Sequence, residues 1–191
     1  MSAEFEHEPI PGLPAHLPPG EQLLWQGSPD WRSVAQRTLH VRGIGIYFGL
    51  LVLWRALSGW HDGQQALEIL RGCALLLGFA VLTIGFLGLV AWRVARSTLY
   101  SISTRRIVMR FGLALPVALN IPFKRVHSAA LREYPDGTGD IPVELSASEH
   151  LAYLHLWPHV RPWKLAHPEP MLRGVPHAAQ AAQVLSGALH Q

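Results

Sequence analysis

Two long apolar stretches, separated by a short polar link, constrain this chain more than anything else in it. The second, Gly72–Trp92, reads GCALLLGFAVLTIGFLGLVAW and contains no charged residue. Its length of about 21 residues, rising about 1.5 Å each as a helix, covers a hydrocarbon core roughly 30 Å thick. The first, Val41–Trp60, is of similar length, with Arg42 at its start and Arg55 near its end. Arg55 can snorkel toward the nearer headgroups, with Trp54 and Trp60 at interfacial depth. A pair of buried helices in a soluble core is the competing reading. Such helices keep a polar stripe, and Gly72–Trp92 has none. The expectation is a transmembrane hairpin over 41–92, with helices at about 41–60 and 72–92.

Setting the hairpin aside leaves an arm, 1–40, and a segment, 93–191, long enough for one small domain. A net charge of +3 with 16 Lys and Arg is far from the excess of a nucleic-acid binder, so no nucleic acid is expected. Cys73 is the only cysteine, which excludes a disulfide framework and a cysteine-based metal site. Glu4, Glu6 and Glu8 stand where a signal peptide would be basic, so none is expected. Arg32, Arg37 and Arg42 precede the first span, and Arg93, Arg96, Arg105, Arg106 and Arg110 follow the second. The link carries only Arg71, offset by Asp62 and Glu68. The positive-inside rule then places both termini in the cytoplasm; in a bacterial host the chain would lie in the inner membrane with the link toward the periplasm.

The arm is Pro-rich and extended as far as Gly20. Leu23, Leu24 and Trp25 form an apolar knot that needs a surface, either the membrane interface or the C-terminal domain. Asp30 can cap a helix starting at Trp31, with Val34 and Leu39 toward lipid and Arg32 and Arg37 toward water. After Arg96 the pattern changes to period two. Leu99 and Ser101 alternate with Tyr100 and Ile102, and beyond a turn at Ser103–Arg105, Ile107, Met109 and Phe111 alternate with Val108 and Arg110. This is a β-hairpin. Strand-like runs follow at Leu119–Pro122, Val126–Glu133, Ile141–Leu145 and around Tyr153, Leu154 and Leu156. Pro176–Leu189 reads as an amphipathic helix with Pro first and Val184, Leu185 and Leu189 on its apolar side. The fold class is α+β: a two-helix hairpin, then a small sheet or open barrel closed by a C-terminal helix.

The segments STLYSISTRRIVMRFG, NIPFKRV and DGTGDI resemble the bacterial pleckstrin-homology-like (PH) domains found beside membrane hairpins. Thr98, Tyr100, Ile102, Thr104, Arg106, Ile121, Pro122, Gly137, Gly139, Asp140 and Ile141 carry the likeness. So does LPPGEQLLWQGSP, through Leu17, Pro18, Gly20, Glu21, Leu24, Trp25, Gly27 and Pro29. Within that group the whole chain is similar to the photosynthetic-complex assembly proteins of purple bacteria. The resemblance implies a membrane assembly factor that holds reaction-centre and core-antenna subunits. A lipid-sensing or general envelope role, unrelated to photosynthesis, is the alternative.

No catalytic motif stands in the chain: GxSxG, a P-loop and HExxH are all absent, and no enzyme is expected. His150, His155, His159 and His167 are interrupted by Pro158, Pro162 and Pro168, and read as solvated rather than as a metal site. Antenna polypeptides hold bacteriochlorophyll through a histidine within the span. Here His40 and His61 lie just outside the first span, so no cofactor is expected beyond a transient pigment contact at a membrane face. Two surfaces remain. Gly45 and Gly49 on the first helix and Gly78 and Gly85 on the second permit close helix approach, to each other or to a partner. Arg93, Arg96, Arg105, Arg106, Arg110, Lys124 and Arg125 form a basic set suited to anionic lipid or an acidic partner segment. The sequence leaves a homo-oligomer open.

Overall fold

A computed structural model describes residues 17–112, 117–146 and 153–190. The chain divides into two compact units, Ala35–Trp92 and a second built from Met1–Val34 together with Arg93–Gln191. The first contains most of two long helices, α2 (Val41–His61, 21 residues) and α3 (Ala66–Ser97, 32 residues). Both are long and apolar enough to cross a membrane. Helix α3 outruns the apolar stretch at both ends, because ALEILR before it and RVARS after it are largely strong helix formers. Little of either helix is covered by the protein: Leu50, Trp54, Leu75, Phe79, Leu82 and Phe86 are all exposed.

The helices approach each other most tightly around Arg55. A Cβ at Gly72 would lie 2.6 Å from Arg55 Nε of α2, and one at Gly59 would lie 2.8 Å from Ile69 Cγ1 of α3 as well as 2.7 Å from Arg55 Nη1 on its own helix. Arg55 Nη2 donates to the Glu68 carbonyl at 3.5 Å, and Cys73 Sγ–H points to the Val52 carbonyl at 3.8 Å. Arg55 is therefore laid across the second helix between two glycines.

The second unit begins with β1 (Leu23–Gly27), which places the apolar knot in a sheet. It pairs antiparallel with β2 (Leu99–Ser103), followed by β3 (Arg106–Phe111) and β4 (Val117–Pro122), in the order β1-β2-β3-β4. The expected turn at Ser103–Arg105 joins β2 to β3. A second antiparallel sheet is organised on β7 (Thr138–Leu145), which pairs with β5 (Val126–Ala129), β6 (Arg132–Glu133) and β8 (Met171–Pro176). Tyr100, Ile102, Ile107 and Met109 from the first sheet meet Ile141, Val143, Leu172 and Val175 from the second in one core. Helix α5 (Ala178–Leu189) closes it with Ala178, Ala181 and Leu185. Each large aliphatic side chain buried there contributes roughly 1.5–3 kcal/mol.

Of the two surfaces open to the apolar knot, it takes the C-terminal domain, since β1 is a strand of that domain's first sheet. Other local expectations change. Tyr153–Leu156 is a short helix, α4, rather than a strand; a run of four with apolar residues at both ends suits either geometry. Pro176 ends β8, and His177, with φ +50°, turns the chain into α5. The helix buries its alanines with Leu185, and these small side chains let it sit close, leaving Val184 and Leu189 half-covered. Asp30 caps α1 (Trp31–Ser33) as expected, its Oδ1 accepting from the Ser33 N–H at 2.8 Å. Val34, however, is buried by the protein itself and does not face lipid.

Candidate functional site

The basic residues expected to form one surface are divided by the β2–β3 hairpin. Arg105 and Arg106 stand at its turn, and Lys124 and Arg125 in the short 3-10 segment after β4 stand beside them. Arg106 pairs with Pro122, and the Phe123 N–H donates to the Arg105 carbonyl at 3.0 Å. Arg110 pairs with Leu99 at the opposite end, where the chain leaves α3 past Arg93 and Arg96. Strands of this length separate the two groups by roughly 17 Å. Arg93, Arg96, Arg105, Lys124 and Arg125 are exposed; Arg106 and Arg110 are half-buried.

Arg106 has a structural partner. Its Nε and Nη2 donate to the two carboxylate oxygens of Glu21 at 2.7 and 2.6 Å, and the Ser103 hydroxyl donates to Glu21 Oε1 at 2.6 Å. The Glu21 side chain is only 1% exposed. The Arg106 hydrogen bond holds its carboxyl below the usual range, against the opposing effect of burial. The glutamate of LPPGEQ and the arginine of STRR thus form a clasp between the arm and the hairpin turn. Arg106 belongs to this clasp rather than to a free basic surface.

A second polar cluster lies inside the core. His159 is buried, with Nε2 3.1 Å from Thr98 Oγ1 and Nδ1 2.7 Å from the Tyr100 hydroxyl. The Arg173 N–H donates to that hydroxyl at 3.1 Å. The chain of bonds is satisfied if Tyr100 donates to Nδ1 and a neutral imidazole donates from Nε2 to Thr98. Burial, aided by the Arg173 charge, pushes the His159 pKa down to about 3, and burial drives the Tyr100 phenol well above its usual value. Both groups stay neutral, in a network that fixes β2 to the segment before β8. His159 is thus a core residue and not a solvated one, and Thr98 and Tyr100 of the STLYS segment are its partners. His167 is exposed; His150 and the side chain of His155 lie outside the described residues.

The DGTGDI stretch holds the arm from the other side. Asp136 Oδ1 accepts from the Thr138 N–H at 3.1 Å, and Asp140 Oδ1 accepts from the Gly174 N–H at 2.8 Å. The Gly174 carbonyl in turn accepts from the Asp30 N–H at 2.8 Å. Gly139 sits where a Cβ would come 2.6 Å from Ala178 Cβ and 2.8 Å from the Arg132 carbonyl, so no side chain fits.

The glycines of α2 and α3 behave unequally. A Cβ at Gly45 would touch Ile84 of α3 at 3.7 Å, whereas Gly49, Gly78 and Gly85 have open space where their Cβ would be. The close approach is made instead at Gly59 and Gly72, whose only sequence signal is smallness. Elsewhere, a cleft of about 510 Å³ lies between β5 and α5, lined by Phe123, Val126, Leu131, Leu185 and Leu189, with His127 and His190 among its polar side chains. Among the described residues no three His, Cys, Asp or Glu side chains gather into a group able to hold a metal ion.

The model of the bacterial PH domain family matches residues 44–189, a range that starts within α2, takes in α3 and runs through β2 to β8, leaving β1 outside. A protein of Rhodobacter capsulatus, described as an uncharacterized 23.7 kDa protein in the puhA 5′ region, is 34% identical over 186 residues, covering 97% of this chain and 87% of its own. No solved structure matches the chain.

Proposed function

The chain belongs to the bacterial PH domain family, and from that premise we propose that it is a non-catalytic membrane assembly factor for the photosynthetic reaction centre and its core light-harvesting antenna. The observation that carries the reading is the relative from a photosynthetic bacterium, similar along nearly the whole chain and placed by its gene beside puhA. The sequence resemblance to photosynthetic-complex assembly proteins points the same way.

In this reading α2 and α3 cross the inner membrane as a hairpin, because their uncovered apolar side chains need a non-aqueous neighbour. Basic residues before α2 and after α3 hold both termini in the cytoplasm. The open faces at Gly49, Gly78 and Gly85 accept helices of client subunits, and Arg105, Lys124 and Arg125 attract anionic lipid or an acidic client segment. Close packing of small residues without buried polar locks allows the client to be released. The PH-like unit supplies a rigid cytoplasmic body, clasped at Glu21 and Arg106.

Deleting the gene and measuring reaction-centre and core-antenna absorbance tests the proposal. Loss of either, restored by the gene in trans, is the expected result. Unchanged absorbance would overturn it and return the protein to a lipid-sensing or general envelope role.

A further inference from the structure

Residues 161–167 form an exposed loop on a hydrogen-bonded base. At the base Val160 bridges Pro170, the Met171 N–H donates to the His159 carbonyl at 3.0 Å, and the Arg161 N–H donates to the Glu169 carbonyl at 2.9 Å. The buried Glu169 carboxylate takes Arg161 Nη1 at 2.8 Å and Lys164 Nζ at 3.2 Å, which ties the loop down along its length. At its tip Trp163 is 92% exposed and Leu165 67% exposed, with Trp157 48% exposed nearby. Trp163 also adopts φ +67°, a left-handed conformation unusual for a bulky residue. The fold thus uses a braced loop to hold an indole and an isobutyl group away from its own core.

We infer that this loop, through Trp163 and Leu165, inserts into the headgroup region of the bilayer that the chain's own helices span. The inference rests on the membrane reading of α2 and α3. Three observations select lipid over a protein partner. Every residue from 161 to 167 is exposed, so the loop offers two separate apolar side chains rather than a face that could bury a central anchor. Tryptophan is the side chain that settles at headgroup depth, with its ring among upper acyl carbons and its N–H toward water. Two cations against one carboxylate leave the loop positively charged, which suits an anionic leaflet. The tether makes contact reachable: β2 begins at Leu99, two residues after α3 ends, and a unit of this size is about 30–40 Å across.

The test uses the full chain in vesicles of phosphatidylcholine and phosphatidylglycerol, in a Cys73→Ser background. A polarity-sensitive fluorophore is attached at Ala166→Cys, which leaves Trp163 and Leu165 in place. Separate proteins carry the label at Gln180→Cys, an exposed position of α5, or at Leu82→Cys within α3. Lipids with a nitroxide below the headgroup should quench the Ala166→Cys label at least about twofold more than the Gln180→Cys label, as expected for interfacial burial. Adding Trp163→Ser and Leu165→Ser, both at exposed positions, should abolish the difference. If the Leu82→Cys label is quenched by deep nitroxides while Ala166→Cys matches Gln180→Cys, the loop inference is overturned and the membrane reading stands. A loop reserved for a protein partner gives that same result in pure lipid. An unquenched Leu82→Cys label would remove the membrane reading and this inference with it.

Discussion

Arg106→Leu should be among the most damaging single changes in the sheet unit, although Arg106 looks from the sequence like one more surface cation. The substitution leaves the Glu21 carboxylate in place, 1% exposed, with Ser103 as its remaining hydrogen-bond donor. Removing one member of a buried ion pair costs about 3–5 kcal/mol, most of it the price of a stranded charge. Glu21→Gln keeps the shape and removes the charge, so it should cost only about 1–3 kcal/mol. The decisive variant is the double one. With the carboxylate neutralised, Arg106→Leu no longer strands a charge, and Glu21→Gln/Arg106→Leu should be more stable than Arg106→Leu alone. Protease susceptibility of the full chain in detergent, followed against temperature, reads the effect. At roughly 3 °C per kcal/mol, Arg106→Leu should lower the midpoint by about 10–15 °C, and the double variant should recover part of it. A single variant within about 1 kcal/mol of the parent, or a double variant no better than Arg106→Leu, would refute the clasp.

Four further outcomes follow from named residues. His159 has a folded pKa near 3 against about 6.5 when unfolded, so the unfolded state binds the extra proton. Stability should be full above pH ~6.5 and fall toward pH ~3 at up to about 1.4 kcal/mol per pH unit; in chemical unfolding at several pH values, His159→Gln should flatten that slope. The carboxyls of Glu21 and Glu169 are depressed, the first mainly by the Arg106 hydrogen bond, the second because bonds from Arg161 and Lys164 outweigh burial. Their stabilisation is present above the ordinary carboxylate range and lost as pH falls below it. Gly72→Leu should displace Arg55 and lower the amount of protein in the membrane, whereas Gly49→Leu, facing open space, should leave it normal; immunoblots of membranes separate the two, and equal levels would contradict the helix contact. A reporter active only in the periplasm should work when inserted at Gly63 and fail after Gln191, and the reverse pattern would overturn the orientation.

Much of the architecture could be read locally. The two long helices follow from two long apolar runs, the second of them free of charge from Gly72 to Trp92, although α3 extends past that run at both ends. The β2–β3 hairpin follows from alternation on both sides of Ser103–Arg105, since side chains on a strand repeat every two residues. Helix α5 follows from an amphipathic run at the end of the chain. Each of these patterns says which face of an element is apolar. None says what that face meets.

That second question was settled only in three dimensions. Leu23–Trp25 was legible as apolar, but its place beside Ser103 and Ile102 depends on pairing across the whole hairpin insertion. Glu21 and Arg106 lie 85 residues apart, and nothing near either one distinguishes a clasp from a solvated charge. His159 sits among prolines with no periodicity, and its burial arises because Thr98, Tyr100 and the Arg173 amide converge on it from separate segments. For the glycines, smallness showed that close approach was affordable at six or more positions. The rotation of α2 against α3 selected Gly59 and Gly72, where Arg55 lies, and left Gly49, Gly78 and Gly85 uncovered. Periodicity is a property of neighbouring residues and survives in any fold. Pairing over long separations is set by where whole elements pack, and that is decided by the tertiary structure.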